Sequence, residues 1–483
     1  MTNSLQRHPH QDGRHTPSLW PVWLVAPGAL LLVGAAAFGL YHGAELLLSS
    51  ESTGKKPVGV QDVIRTTVTV LTLIGAVLAA LYAYRKQLLD EGASHRADST
   101  QLTERYTKAA EQLGHDQAAV RLAGVYAMAR LADDWPEQRQ VCVDVLCAYL
   151  RMPYETAPNG PAFRHGEREV RLTIIRTIRD HLQDTTTTNT WCGHNLDFTG
   201  ATFDGGDFSR SNFSGGQVSF SGSTFSGGQV SFSGSTFSGG QVSFSGSTFS
   251  AGEVSFRRSA FSGGDVSFSG STFSGGDVSF TSSTFSGGDV SFSGSTFSGG
   301  KVSLNRSTFS GGEVFFGGST FSGGKVHCTA STFFGGQVSF GRSTFSDSQV
   351  SFLGSAFSGG EVSFSRSTYS GGEVSFSRST YSGGEVSFDY SAFSGGEVSF
   401  SRSTYSGGKV SFDHSTYSGS QVDFSDSTYS GGKVSFDHST YFGSQVDFSD
   451  STYSGDTVSF ESVRVEASAV IRWGPFPAIP AIR

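Results

Sequence analysis

The chain has 483 residues, of which 16% are charged and 36% hydrophobic, with a formal net charge of −8. That length exceeds what one compact core usually organises, so several segments are expected. The mild acidity makes no case for a nucleic-acid surface. The four cysteines (Cys142, Cys147, Cys192, Cys328) lack paired metal spacing and argue against a disulfide framework.

In chain order, residues 1–18 carry His8, His10 and His15 among polar residues and read as a disordered tail. Trp20 to Leu40 is uncharged and long enough to span a bilayer, which needs about 20 apolar residues. Trp20, Trp23 and Tyr41 stand where interfacial aromatics belong. A second uncharged run, Thr66–Tyr84, is closed by Arg85-Lys86. Residues 19–86 are therefore expected to form a transmembrane hairpin, with spans at about 20–40 and 66–84; a cleaved signal peptide is the rival reading of the first span. An even number of spans puts both ends on one side. Arg85-Lys86, abutting the second span, favours a multi-pass cell-membrane protein with both termini and the C-terminal array in the cytoplasm.

Residues 87–184 read as a juxtamembrane helical adaptor. One helix is expected to open at Ser99-Thr100 and stop at Gly114. A second, about 117–133, places Val120, Ala123, Ala127 and Leu131 on one stripe. Pro136 can start a third, carrying Val141, Val145, Leu146 and Leu150 inward. A fourth covers about 167–182 with Val170, Leu172, Ile174, Ile175 and Ile178. The phrase Leu-Thr-Glu-Arg-Tyr-Thr-Lys-Ala-Ala-Glu-Gln-Leu-Gly (102–114), followed by Val-Arg-Leu-Ala-Gly-Val-Tyr-Ala-Met-Ala-Arg-Leu-Ala (120–132), is similar to the juxtamembrane module of bacterial membrane-anchored pentapeptide-repeat proteins.

From Phe213 to Phe460 a twelve-residue phrase, Phe-Ser-Gly-Gly-x-Val-Ser-Phe-Ser-x-Ser-Thr in its commonest form, recurs twenty-one times. A fixed period this short signals a solenoid, whose repeats bury their apolar faces only against their neighbours. Alternation sends Val and Phe inward and the intervening Ser or Thr outward. The Gly pairs mark turns. Ahead of the array, Phe198, Phe203, Phe208 and Phe213 stand five apart, each with a small or aliphatic residue two before it. This resembles the pentapeptide-repeat family, and the resemblance implies an all-β right-handed quadrilateral β-helix over residues 191–460. The twelve-residue unit then reads as two pentapeptides plus an inserted pair: Ser211–Gly215, Gly216-Gln217, Val218–Gly222. A coil of twelve or of twenty-four residues fits the repeat; the bulk of the inward rings and the 24-residue superperiod over Tyr405–Thr452 favour twenty-four. Trp191 can plug the N-terminal end, and residues 461–483, with Trp473-Gly474-Pro475-Phe476-Pro477, can cap the other.

No residue set reads as catalytic, cofactor-binding or metal-binding. Asp413-His414 and Asp437-His438 recur 24 apart but have no third ligand type or nucleophile beside them, so a solvated corner is the better reading. The Gly-Gly pairs lack the Lys-Ser/Thr of a phosphate loop and the Asp of a calcium nonapeptide. Between Gly193 and Phe460 there are 21 acidic and 12 basic residues, a dilute field for a DNA mimic. The expectation is a non-enzymatic, cofactor-free β-solenoid scaffold, anchored in the lipid bilayer by two helices, that binds an unidentified protein; end-to-end self-association of the rod stays open. The rivals are a DNA-mimicking inhibitor of a nucleic-acid enzyme such as gyrase and a cell-surface adhesive rod.

Overall fold

The computed structural model describes residues 60–161, 163–250, 252–454, 458–466 and 468–476, with isolated helical positions at 31, 34–35, 38–39 and 42. Two units are distinguished, residues 1–101 and 102–483. The polar tail and nearly all of the first expected span lie outside the described residues.

The first fully described element is α1, Val60–Leu113, a single helix of 54 residues. Its window Val68–Gln87 is the one helix among the described residues long and apolar enough to cross a membrane, judged by length and composition, where two were expected. Within it Thr69 Oγ1 donates to Arg65 O (2.7 Å) and Thr72 Oγ1 to Val68 O (2.6 Å), so these hydroxyls are satisfied by their own helix, as an apolar surrounding requires. The break expected at Ser99 does not occur. The intervening residues are mostly good helix formers, and the lone Gly92 costs only about 1 kcal/mol.

Three further helices follow: α2 (Ala118–Asp134), α3 (Arg139–Arg151), entered through a 3₁₀ turn at Pro136–Gln138, and α4 (Glu167–Gln183). Two inward stripes differ from expectation. In α2 the buried side is Gly124, Val125, Met128, Leu131 and Ala132, and Ala123 is exposed. In α3 Val141 is exposed, while Cys142, Val143, Leu146 and Leu150 are buried. A buried polar network sets the rotation. Arg121 donates to His115 O (2.9 Å) and Asp116 O (2.5 Å) and pairs with Glu167 (3.2 Å), whose carboxylate also accepts from Tyr149 Oη (3.0 Å). A buried guanidinium must find such partners, and that demand outweighs a small shift of the apolar stripe.

From Leu196 the chain winds as a right-handed-type solenoid of about eleven turns. Among the described residues four parallel sheets make its faces, three of twelve strands and one of eleven. The first turn supplies β1 (Leu196–Asp197), β2 (Thr202–Phe203), β3 (Gly206–Asp207) and β4 (Asn212–Ser214), one to each face. Register fixes the coil: Val242 pairs with Val266 and Phe249 with Phe273, 24 residues on. The opening coil is two shorter, Leu196 pairing with Val218, because no Gly-x pair separates Phe203 from Phe208. Strands at Arg464–Val465 and Val470–Arg472 carry the second and third faces past residue 460.

The core is stacked rings. Phe220 lies 4.7 Å from Phe244 at 2° between planes, and Phe220 meets Phe232 edge-on at 5.5 Å; both geometries suit the aromatic quadrupole. The small inward residue is usually Ser, and its hydroxyl links coils. Ser247 Oγ accepts Ser223 N–H (3.2 Å) and donates to Phe220 O (2.7 Å), a pattern that recurs along the rod. Most Phe-Ser-x-Ser corners are turns closed by a bond such as Ser223 N–H to Phe220 O (3.0 Å), with the third residue at φ near +60°: Gly222 at 65°, Arg258 at 57°. In the Gly-Gly corner the two glycines differ in purpose. Gly287 adopts φ +101°, whereas a Cβ on Gly288 would stand 2.4 Å from Gly264 O of the preceding coil.

Candidate interaction surface

The junction between helices and solenoid is knit by arginines of the helices meeting aspartates of the first coil. Arg168 pairs with Asp204 (3.1 Å), Arg151 with Asp197 and Arg179 with Asp207. Buried Arg171 donates to Thr202 O (3.1 Å). Burial pushes Asp197 and Asp207 up, but hydrogen bonds from Thr199 and Arg151, and from Ser209 and Arg179, outweigh it and hold both carboxyls below their ordinary range. Trp191 is fully buried and stacks on His181 (4.2 Å, 15°), whose Nε2 lies 3.2 Å from Asp133. Beside this junction Arg168, Arg176 and Arg179 line a groove of about 570 Å³ against Gly205 and Gly206. At the other end Trp473 lies edge-on to Phe460 (5.1 Å) and Phe476 edge-on to Phe448 (5.3 Å).

Outside, the first face carries a zigzag of hydroxyls. Ser243 bonds Ser245 (3.2 Å), Ser245 bonds Ser267 (2.9 Å), Ser267 bonds Ser269 (3.2 Å) and Ser269 bonds Ser291 (2.9 Å). The two Asp-His pairs are each divided between columns. Asp413 Oδ1 accepts from Ser435 Oγ (2.5 Å) and Asp437 N–H (2.9 Å), while His414 stacks on His438 and on Tyr390, each at 4.7 Å. Arg366 lies over Tyr390 at 5.9 Å. Sequence reasoning missed this ladder. Its signal was the 24-residue spacing of positions 366, 390, 414 and 438, which becomes meaningful only once the coil length is known.

Among the described residues no group of three or more His, Cys, Asp or Glu is placed to hold a metal ion. The buried thiols are poor nucleophiles, because burial pushes Cys142 up to about 11 and Cys147 up to about 12. On the third face a trough of about 500 Å³ has serines on its floor, Glu253, Asp277 and Lys301 along one rim, and Arg257, Thr281, Asn305 and Thr329 along the other. Burial, then the neighbouring Lys301, depresses His327 in the next coil. Farther along the same rim burial, then Glu373 and Asp423, raises Glu397.

Inward rings at five-residue spacing, a small inward residue two before each, and a left-handed corner between them decide the kind of solenoid. Over residues 192–236 and 263–308 it is similar to pentapeptide repeats. The family model for pentapeptide repeats matches nine copies, within residues 192–236 and 263–308. A comparison with curated proteins finds no match. In this rod the Gly-x pair is an extra corner element between two five-residue units, and its variable residue supplies the charged rim of the trough.

Proposed function

We propose that the chain is a non-catalytic scaffold, anchored in the cell membrane, whose pentapeptide-repeat rod mediates protein–protein interaction. The observation that carries this reading is the repetitive surface, which offers the same hydroxyl, carboxylate, amide and ammonium groups in columns one coil apart rather than a few groups converging on one point. Such columns suit a partner that lies along the rod. The helix Val68–Gln87 supports the anchor, and the uncharged run Trp20–Leu40 supports a second span. Both termini and the rod are placed in the cytoplasm on the strength of Arg85-Lys86. The helices α2 to α4 serve as adaptor and N-terminal cap, and Trp473–Phe476 as C-terminal cap.

Three measurements test the reading. The chain should stay with membranes after an alkaline wash and be released when residues 1–87, which hold both proposed spans, are deleted. A reporter after Arg483 should be active in the cytoplasm; activity outside would favour an adhesive rod. A photo-crosslinker at outward Ser291 should give discrete protein adducts in native membranes, and their absence along the whole rod would sink the scaffold. Inhibition of DNA supercoiling by the purified chain would instead favour the DNA-mimic.

A further inference from the structure

Along one rim of the third face, the residue at the variable site before each inward Val changes sign in blocks. Glu253 and Asp277 sit one coil apart, then Lys301 and Lys325, then Gln349, then Glu373 and Glu397. Like charges directly opposed on neighbouring strands destabilise a sheet. Among the described residues none of the first four charges has an ion-pair partner. Glu253 accepts only an amide proton from Gln229 (3.1 Å), and Asp277 only the backbone N–H of Lys301 (3.0 Å). On the first face the same signs occur in Glu361, Glu385, Lys409 and Lys433, but there Lys409 Nζ already pairs with Glu385 at 2.7 Å.

The third-face pattern inverts sign about the point between Asp277 and Lys301. A two-fold axis lying in the face there, across the coils, would run a second rod antiparallel to the first. Asp277 would meet the partner's Lys301, Glu253 the partner's Lys325, and Gln229 the partner's Gln349. A two-fold contact needs such self-complementarity, each residue pair occurring twice. The other rim fits too, since Arg257 would oppose the partner's Thr329 and Thr281 the partner's Asn305. One coil beyond Gln229, the groove lined by Arg168, Arg176 and Arg179 would receive the partner's Glu373. The trough from Glu253 to Thr329 is centred on this axis. The corresponding axis on the first face would set Asp389 against the partner's Asp413, a like-charge contact.

We propose that the third face is a self-association surface, through which two copies of this chain pair antiparallel about an axis between Asp277 and Lys301. This deepens the scaffold reading by naming one partner. Its failure would leave that reading to its own test, because adducts with other proteins would still form. From the coil of Gly205 to that of Glu373 the contact runs over eight coils, about 38 Å at 4.8 Å each, and it is held mainly by exposed rim charges, which individually contribute little. The pairing is therefore weak and salt-sensitive.

The test uses the full chain in detergent, in two differently tagged forms mixed at about 100 µM, a concentration suited to weak association, with co-capture as the readout. The wild type should co-capture itself at low salt and lose this at 1 M salt, where screening is near 3 Å. Lys301→Glu/Lys325→Glu and Glu253→Lys/Asp277→Lys should each lose self-capture at least about tenfold by like-charge repulsion. Mixing the two should restore it, because every opposed pair then has opposite signs. Far-UV circular dichroism should be unchanged, since these rim side chains reach solvent. Self-capture that persists in both variants, or loss without rescue on mixing, overturns the proposal. So does rescue only from Glu373→Lys/Glu397→Lys, which would move the axis to Gln349.

Discussion

Replacing Cys328 by phenylalanine probes the ring stack at its one long interruption. On the third face Phe256 stacks on Phe280 (4.9 Å, 6°) and Phe352 on Phe376 (4.7 Å, 0°), but Leu304 and Cys328 occupy the two coils between. The backbone is not pinched there. Leu304 N–H reaches His327 O at 2.6 Å and Cys328 N–H reaches Ser351 O at 2.7 Å, as Phe280 N–H reaches Ser303 O at 2.7 Å. A ring at 328 would stack on Phe352 and stand edge-on to Phe340, as Phe352 does at 6.3 Å. Added apolar burial is worth about 1–2 kcal/mol and the ring contacts about 0.5–1.5 kcal/mol. Overpacking against Leu304 can take back about 1 kcal/mol, leaving a gain of about 1–2 kcal/mol. Leu304→Phe alone should gain less, and the double variant more than the sum by about 0.5–1.5 kcal/mol, because the two new rings stack on each other. Hydrogen exchange of the amides between 300 and 352 is the suitable assay, since a repeat array opens locally rather than all at once. Faster exchange in Cys328→Phe, or no coupling in the double variant, would refute the claim that ring continuity stabilises the rod.

Other perturbations separate the remaining contributions. Phe292→Asp buries an unpaired carboxyl between Phe268 and Phe316, at 4.8 and 4.7 Å, and should open several neighbouring coils to protease; an unchanged digestion pattern would contradict the inward assignment. Gly288→Ala places a Cβ against a backbone oxygen that cannot yield and should loosen the adjoining coils, whereas Ser291→Ala on the outer surface should change the unfolding free energy by less than about 0.5 kcal/mol in a denaturant titration. Tyr405 is buried between Tyr381 and Tyr429, and its hydroxyl has no hydrogen-bond partner among the described residues. Tyr405→Phe should therefore stabilise by about 1 kcal/mol, and a loss of stability would mean the hydroxyl is bonded. At the junction, Asp197 and Asp207 titrate below their unfolded value near 3.9. The docking stability they supply is thus present above about pH 4 and lost as pH falls through their lowered folded values. Increased protease sensitivity of residues 184–195 in acid, absent in an Asp197→Asn/Asp207→Asn double variant, is the expected sign.

Alternation along the phrase determined which side chains face the core, since one register alone buries the columns of Val, Phe and small Ser while leaving Gln217, Asp277 or Glu361 in solvent. The five-residue spacing of Phe198 to Phe213 likewise carried the kind of solenoid. The helical stripes were less legible: a buried Arg121 held by Glu167, distant in sequence, decided how α2 turns, and no local pattern of apolar residues encodes that contact. Which columns become neighbours was legible only in part: ring bulk and the 24-residue superperiod over Tyr405–Thr452 favoured a twenty-four-residue coil, and the register agrees. A twelve-residue repeat satisfies a two-sided or a four-sided coil equally at the level of in and out, and only the packing of four rings per turn chose twenty-four. That choice set Tyr390 on His414, and it put Asp277 beside Lys301 rather than beside Asp289. Face and periodicity are local consequences of backbone geometry; adjacency between coils is a long-range register, fixed where ring volume closes the core.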